Sequence, residues 1–441
     1  MDDIIPPKIL KGFRDSLPDT ESAKSRLVRC LERTFELFGF VPIDTPVLEY
    51  SEVLLGKAGG ETEKQVYRFL DHGGRDVSLR YDLTVPFARF MAAHRSELYL
   101  PFKRYHIAKV WRGENTQRGR YREFIQCDFD IVGTDSFSSD FEILLLMVRA
   151  LEALDIREFH IHYSHRGLFN RLLERLGIAD RGTEILRTID KLSKIGQAEV
   201  REMMRSFAEN EAVDAILDFG RREESFEKTL SKLRDTLGGD SQETLRLERI
   251  RRLMEEMDLA DFFILDPSIT RGLDYYTGIV FETFLDRNPG LGSVCSGGRY
   301  DNLTSLYTTE SMPGVGSSIG LDRLFSAMED LGLVQSNDLH RGLLILCLDE
   351  NLLGYYHRTA SVIRAAGIRV DVYPEKKKLA RQFQFAEKKG IPFALICGEE
   401  EIKNETYTLK NLNTRESFSD LKVKDLVEML LTQAPISPNQ T

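Results

Sequence analysis

The stretch RGENTQRGRYREFIQCDFDIVG, residues 112–133, decides how the chain is read. The protein carries a formal net charge of −10, yet Arg112, Arg118, Arg120 and Arg122 crowd this segment, and Gln126, Asp128 and Asp130 follow directly. From Arg120 the even positions run Arg120, Arg122, Phe124, Gln126, Asp128, Asp130. The odd ones run Tyr121, Glu123, Ile125, Cys127, Phe129, Ile131. Successive side chains of a strand point to opposite faces, so the pattern predicts one mostly apolar face and one polar face that also carries an aromatic ring. Upstream, FKRYHIAKVWR is rich in aromatic and β-branched residues, as strands are, and GENTQRG supplies the Gly and Asn of a turn. The segment reads as two antiparallel strands joined by a long polar loop, with a face able to hold an anion and an amine together. A solvated sheet face with cross-strand ion pairs accounts for the same pattern equally well at this point.

The rest of the chain sets the frame. Its 441 residues, 42% of them hydrophobic and 29% charged, predict about two or three domains with a proper core. No run approaches the ~18 apolar residues of a membrane span. The start MDDIIPPKILKG has neither the basic end and apolar core of a signal peptide nor the Arg/Ser-rich character of a transit peptide. Cys30, Cys127, Cys295, Cys347 and Cys397 are scattered, odd in number and without CxxC spacing. That predicts reduced thiols in a cytoplasmic protein and no metal site. An acidic chain binds nucleic acid only through local basic patches.

ESAKSRLVRCLERTFELFGF has helical spacing, and VPIDTPVLEY after it reads as a strand kept near an edge by its prolines. DFEILLLMVRALEALDI reads as an amphipathic helix and EFHIHYSH as a strand. Residues 166–258 are charged and helix-forming with almost no strand signal, which predicts a helical insertion. Strand-like text resumes in FFILDPSITRGLDYYTGIVFETFL and ends at the helix GLDRLFSAMEDLGL. After the polar joint VQSNDLHRG comes an alternating small α/β unit, and the tail APISPNQT predicts disorder.

Two glycine-rich stretches, SGGRYDNL (296–303) and GVGSSIGLDRL (314–324), fit neither a Walker loop nor GxGxxG after a strand. Glycine lets a ligand or another backbone approach closely, although a tight turn and a helix start explain each stretch taken singly. Arg323, at a helix start behind a glycine-lined strand, suits a phosphate or a flat ring. In RGLDYYTG (271–278), Arg271 and Asp274 could pair in a turn, while Tyr275 and Tyr276 behind the arginine suit a ligand pocket.

Together these residues match the three signature motifs of class II aminoacyl-tRNA synthetases. Within that class LRYDLTVPFARF, RGRYREFIQCDFDIVG, RGLDYYTG, SGGRYDNL and GLDRL closely resemble the histidyl-tRNA synthetase family, the first two in their eukaryotic-branch form. The resemblance spans roughly residues 7–430. It implies an α+β chain, an antiparallel sheet flanked by helices. The class II catalytic domain would occupy 1–165 and 259–331, the helical insertion 166–258, an α/β anticodon-binding domain 340–432, and a disordered tail 433–441.

The implied reaction joins histidine and ATP into histidyl-adenylate and pyrophosphate, then passes histidine to the 3′ end of tRNA(His). Charge builds on phosphoryl oxygens, so fixed cations should dominate. By resemblance Arg112 binds the α-phosphate, Arg271 lies opposite it near the substrate carboxylate, and both are catalytic. Arg323 stacks on adenine with Phe124 on the other face, Glu114 meets the adenine edge, and Mg²⁺ bridges phosphates. Asp82, Thr84 and Gln126 take the α-amino group, Asp130 and Tyr276 grip the imidazole, and Tyr300 closes a pocket that Tyr275 also lines. A carboxylate and a hydroxyl together read both nitrogens of a neutral imidazole. Such a site rejects analogues lacking those groups by about 10⁴–10⁵, which fits the absence of an obvious editing domain.

Further expectations follow from the same resemblance. FELFGFVPIDTPVLEY, with Pro46, matches the first class II motif and implies a homodimer. EKKKLARQFQFAEKKG implies anticodon contact, against the plain alternative of a solvated basic helix face. Asn115 stands where bacterial members commonly carry arginine, which bears on how the tRNA acceptor end is recognised and leaves ATP binding alone. The main rival is a synthetase-like, histidine-sensing regulatory subunit of histidine biosynthesis. Such proteins usually lose the catalytic arginines and the anticodon domain, and this chain keeps both. A pure nucleic-acid-binding module would not need a paired amine and imidazole site.

Overall fold

The computed structural model describes residues 4–56, 61–189, 195–269, 275–334 and 342–433. The chain divides into two compact units, 1–334 and 335–441. The first is built on an eight-stranded sheet. In chain order its strands are β1 (Val41–Pro42), β2 (Phe102–Trp111), β3 (Glu123–Val132), β4 (Phe159–His165), β5 (Phe263–Leu265), β6 (Ile279–Leu285), β7 (Cys295–Tyr300) and β8 (Gly314–Gly320). Their spatial order is β1-β2-β3-β8-β7-β6-β4-β5. Only the edge pairs β1·β2 and β4·β5 are parallel.

The alternation along β3 explains what each face does. Cys127, Phe129 and Ile131 are buried in the main core, beneath the helices Pro18–Leu37 and Phe137–Ala153. The first of these helices turns Ala23, Leu27, Leu31 and Phe35 inward at four-residue spacing, one helical stripe. Phe35 meets Phe129 at 4.9 Å between ring centroids. Both are fully buried, and each contributes roughly 1.5–3 kcal/mol through the area removed from water. The even residues Gln126, Asp128 and Asp130 point the other way.

Register then dictates their neighbours. Arg104 on β2 lies opposite Asp130 and His106 opposite Asp128. On the other side Gly316 faces Asp130, Ser318 faces Asp128 and Gly320 faces Gln126. The glycine-rich stretches are therefore adjacent strands, not turns, and the helix Leu321–Asp330 follows β8 without a break. VPIDTPVLEY also differs from its sequence reading. It forms two short strands in two sheets, β1 and Leu48–Tyr50, the latter in a three-stranded antiparallel sheet with Asp76–Leu79 and Arg68–Leu70. Pro42 sits in register with Tyr105, and the Ile43 amide just beyond it donates to the Tyr105 carbonyl at 3.0 Å, whereas Pro46, which cannot donate to a ladder, lies in the link between the two strands.

Between Arg166 and Glu256 the described residues form helices and no strand. Ser241 caps the helix Gln242–Glu256 in a reciprocal capping box with Thr244. The apolar faces of these helices share the main core, through Leu168, Phe169, Val213, Phe219 and Leu247.

In the second unit, strands Val370–Val372, Leu343–Ile345 and Phe393–Ile396 pair in parallel, and Tyr407–Asn411 and Ser417–Leu421 continue the sheet antiparallel. Its basic helix begins at Leu379, so Lys376, Lys377 and Lys378 precede it. The expected Arg271–Asp274 turn, most of the VQSNDLHRG joint and residues 434–441 of the tail lie outside the described residues. No described helix is long and apolar enough to cross a membrane.

Candidate active site

The polar faces of β3, β8 and β7, with Glu282 of β6 and Arg112 just past β2, form the wall of a cavity of about 760 Å³. Asp82, Thr84, Gln126, Asp130, Tyr275, Tyr276 and Tyr300 line one part, and Arg112, Glu114, Phe124 and Arg323 another. Glycines make the room. A Cβ on Gly316 would overlap the Asp130 carboxylate, and one on Gly314 would lie 2.5 Å from the Tyr300 ring.

One end is rich in buried acceptors. Asp82 Oδ1 accepts from the Val85 amide at 3.1 Å, at the start of the helix Thr84–Ala93. Asp82 Oδ2, Asp128 Oδ1 and Gln126 Oε1 are buried and accept no hydrogen bond from the described residues. Gln126 donates from Nε2 to Ser318 Oγ at 2.7 Å, which leaves its carbonyl oxygen turned toward another donor. Thr84 Oγ1 approaches Asp128 Oδ2 at 3.5 Å. Burial pushes Asp82 up to about 6 against the pull of Arg112 and Arg104. Burial also pushes Asp128 up to about 7, opposed by Arg104 and reinforced by Asp130. Oxygens so poor in donors suit an ammonium group, which brings both N–H donors and the missing charge.

Beside them Asp130 is gripped from two strands. Arg104 Nη2 reaches its Oδ2 at 2.7 Å, and the Tyr300 hydroxyl donates to its Oδ1 at 2.6 Å. Tyr275 packs edge-on against Tyr276 and Tyr300, with centroids 5.0 and 6.0 Å away. Burial raises all three tyrosines, so they remain hydroxyl donors.

The other end is cationic. Arg112, at the end of β2, anchors Nε on the Tyr81 carbonyl at 2.8 Å and sets its guanidinium carbon 5.2 Å from the Phe124 ring centroid. Glu114 lies 3.8 Å from Arg112 and 3.3 Å from Arg120. Arg323 donates to the Ser293 carbonyl at 2.7 Å. Burial, with Arg120 and Arg112 nearby, lowers its pKa, while Glu114 and Glu282 oppose the shift. Guanidiniums held by backbone carbonyls are preorganised for phosphate oxygens.

All the residues given an ATP- or histidine-binding role from the sequence thus line this cavity except Arg271, which lies outside the described residues. Of the opening arginine cluster, Arg118 instead pairs with Asp330 and Arg122 with the Glu114 and Lys11 carbonyls. Sequence reading missed Arg104, His106, Ser318 and Glu282 and assigned no role to Asp128 or Arg120. The signal for two of them was present, because the alternation applied to FKRYH puts Arg104 and His106 on the polar face. Among the described residues no cluster of three or more His, Cys, Asp or Glu could hold a metal ion.

A largely antiparallel sheet flanked by helices, with arginines from a strand end and a helix start facing one polar wall, is the class II aminoacyl-tRNA synthetase catalytic fold. A Histidyl-tRNA synthetase family profile matches residues 12–324, and an Anticodon binding domain profile matches 343–433. The chain is 49% identical over 443 residues to the histidine–tRNA ligase of Treponema denticola, covering 99% of this chain and 98% of that one. It is 47% identical over 420 residues to that of Treponema pallidum, with 93% and 95% covered. A crystal structure of histidyl-tRNA synthetase from Nostoc sp. PCC 7120 superposes with a TM-score of 0.85 at 32% identity, covering 98% of this chain and 100% of that one. The chain belongs to the histidyl-tRNA synthetase family.

Proposed function

We propose that the chain is a histidine–tRNA ligase that works through this cavity. The observation that carries the reading is the joining of two chemistries in one space: orphaned buried carboxylate oxygens at one end and anchored arginines at the other. Histidine's carboxylate oxygen attacks the α-phosphorus of ATP, the bond to the β-phosphate oxygen breaks, and histidyl-adenylate and pyrophosphate result. A ribose hydroxyl at the tRNA(His) 3′ end then takes the histidyl group and releases AMP.

Asp82, Thr84 and Gln126 hold the α-ammonium group, and Asp128 belongs with them. Asp130 and Tyr276 read the imidazole, with Tyr275 and Tyr300 closing the ring pocket. Arg112 takes the α-phosphate, and Arg271 acts from the opposite side. Adenine lies between Arg323 and Phe124, with Glu114 at its edge. Mg²⁺ fits as a passenger of ATP, since it needs only one or two protein carboxylates beside phosphate oxygens. Glu282 supplies one on the nucleotide side. When bound, the ion neutralises charge on the phosphates.

The partner assignments rest on surfaces. Val47, Leu48, Tyr50, Phe69 and Leu70 expose apolar side chains on the three-stranded sheet. Leu70 is 70% exposed. Such a patch, within and beside the first class II motif, suits a two-fold contact with a second copy. The protein acts in the cytoplasm, where its five free thiols would stay reduced. The C-terminal unit receives the anticodon, and the helical insertion and catalytic unit keep the boundaries drawn from the sequence.

ATP–pyrophosphate exchange measured across the twenty amino acids tests the reading. Histidine-dependent, Mg²⁺-requiring exchange is expected, and exchange that is best with another amino acid overturns it. Light scattering should give a dimer, and a fully active monomer would remove the interface assignment.

A further inference from the structure

Arg104 is a fully buried cation that neither chemical step uses directly. It sits on β2 with 0% of its side chain exposed. Its guanidinium carbon stacks 4.2 Å over the Phe87 ring centroid, and one nitrogen leans on the Leu83 carbonyl at 3.4 Å. It forms an ion pair with Asp130, at 2.7 Å. Removing a guanidinium from water this completely is costly unless a paired charge offsets it.

The pairing fixes what the ring end of the pocket offers. Asp130 spends Oδ2 on Arg104 and one lone pair of Oδ1 on the Tyr300 hydroxyl. It keeps acceptor capacity for a ring N–H, but its charge is already balanced. Other groups face the pair. Asp128 lies two residues along β3, Asp82 comes from the loop before the helix Thr84–Ala93, and His106 lies two residues along β2. Tyr276 and Tyr300 close the side. Burial holds His106 neutral, down at about 3, and raises Asp82 and Asp128. With Asp82 near 6 and Asp128 near 7, the two carboxyls carry about one negative charge between them near pH 6.5, and the substrate ammonium matches it. An imidazolium would therefore place a second buried cation beside Arg104 with nothing to offset it.

We infer that Arg104 is a specificity-determining positioning residue, which orients Asp130 and cancels its charge so that the pocket accepts neutral imidazole and refuses imidazolium. The inference rests on the assignment of Asp130 to the imidazole. It adds selection of a protonation state that the carboxylate alone would not enforce. A lone buried Asp would favour the cation by direct charge attraction. The Asp130–Arg104 pair offers a hydrogen-bond acceptor without a net charge.

The test compares KM for histidine with KM for 1,2,4-triazole-3-alanine in ATP–pyrophosphate exchange between pH 5.5 and 8. The triazole ring stays neutral throughout, so titration of the enzyme's own groups cancels in the ratio. In the wild-type protein the ratio of histidine to triazole KM should rise toward tenfold for each pH unit below about 6.5, where free imidazole protonates. A ratio that stays flat or falls overturns the inference. Arg104→Lys keeps the charge and should keep the rise. Arg104→Gln exposes the charge of Asp130 to the ring and should flatten the rise or reverse it, and the wild-type slope persisting in that variant overturns the role of Arg104. Should Arg104→Gln not fold, the wild-type and lysine profiles still decide. Asp130→Asn separates this inference from the reading beneath it. If its histidine KM equals wild type, the imidazole does not sit at Asp130 and the assignment itself falls. If KM rises in that variant while the wild-type ratio is flat, only the role of Arg104 falls.

Discussion

Gly316 faces Asp130 across adjacent strands, and a Cβ built on the glycine would overlap the carboxylate. Asp130 has little freedom to step aside, because Arg104 and Tyr300 hold its two oxygens. Gly316→Ala should therefore cost about 1–3 kcal/mol of stability through overpacking. It should also raise the histidine KM by roughly tenfold or more, since about 1.4 kcal/mol of weakened binding is a factor of ten. ATP affinity should change little. Thermal melts and exchange kinetics check this, and an unchanged histidine KM would mean that the glycine is not the floor of the pocket.

The buried acids at the amine end make function costly to stability. Asp128 titrates near 7 in the folded protein and Asp82 near 6, against about 3.9 in an unfolded chain. The native state then holds more protons than the unfolded one between those values, so these two groups destabilise the ligand-free protein as pH rises through that window. Asp128→Asn removes the burden. Its stability gain over wild type should be on the order of 2–4 kcal/mol at pH 8 and shrink steadily toward pH 5. Histidine binding should weaken in the same variant. Urea melts at the two pH values check the first part, and a gain that does not depend on pH would show that Asp128 is not a buried charge.

How far the site was legible depended on whether its signal was local. The two faces of β3 could be read from the alternation between Arg120 and Ile131, because a strand's period is two wherever it lies. Arg104 and His106 obey the same period, but only the register with β3 shows that they meet Asp130 and Asp128. Nothing in a single strand's text reveals that pairing. Gly314 and Gly316 had a local explanation as turn residues. Their reason lies in the side chains of Tyr300 and Asp130, both distant in sequence. VPIDTPVLEY failed as one strand because it passes from one sheet to another, with Pro46 in the link between its two short strands. The helices 166–256 were legible as helices, while the core they share with the sheet was not, since that depends on tertiary packing.

Arg271 lies outside the described residues, and its role is carried by the RGLDYYTG motif. If it stands across the α-phosphate from Arg112, Arg271→Ala should lower histidine-dependent adenylation by roughly 10²–10³, the scale of removing one preorganised donor. Histidine affinity should weaken less than the rate falls. Single-turnover adenylation alongside equilibrium histidine binding separates the two effects. An unchanged rate would reduce Arg271 to a structural partner of Asp274.

The two chemical steps should separate along the boundary between the compact units. Deletion from Asn337 onward removes the second unit, which has its own buried core around Leu343, Ile345, Tyr356, Leu395 and Leu409. It leaves every residue assigned to ATP or histidine. The shortened protein should still form histidyl-adenylate while it stays folded and dimeric, and its charging of tRNA should collapse, chiefly through weaker tRNA binding. Lys376, Lys377 and Lys378 sit on exposed chain just before the helix Leu379–Lys389, which leaves them accessible to a phosphate backbone. Replacing all three with alanine in the full-length chain should act in the same direction but less severely. The salt dependence of tRNA binding should also become shallower, by about one unit of log–log slope for every lysine–phosphate interaction removed. Filter binding across a salt series, beside aminoacylation and exchange assays, reads all three effects. Normal charging by the shortened protein would remove the anticodon role and leave the lysines as a solvated face.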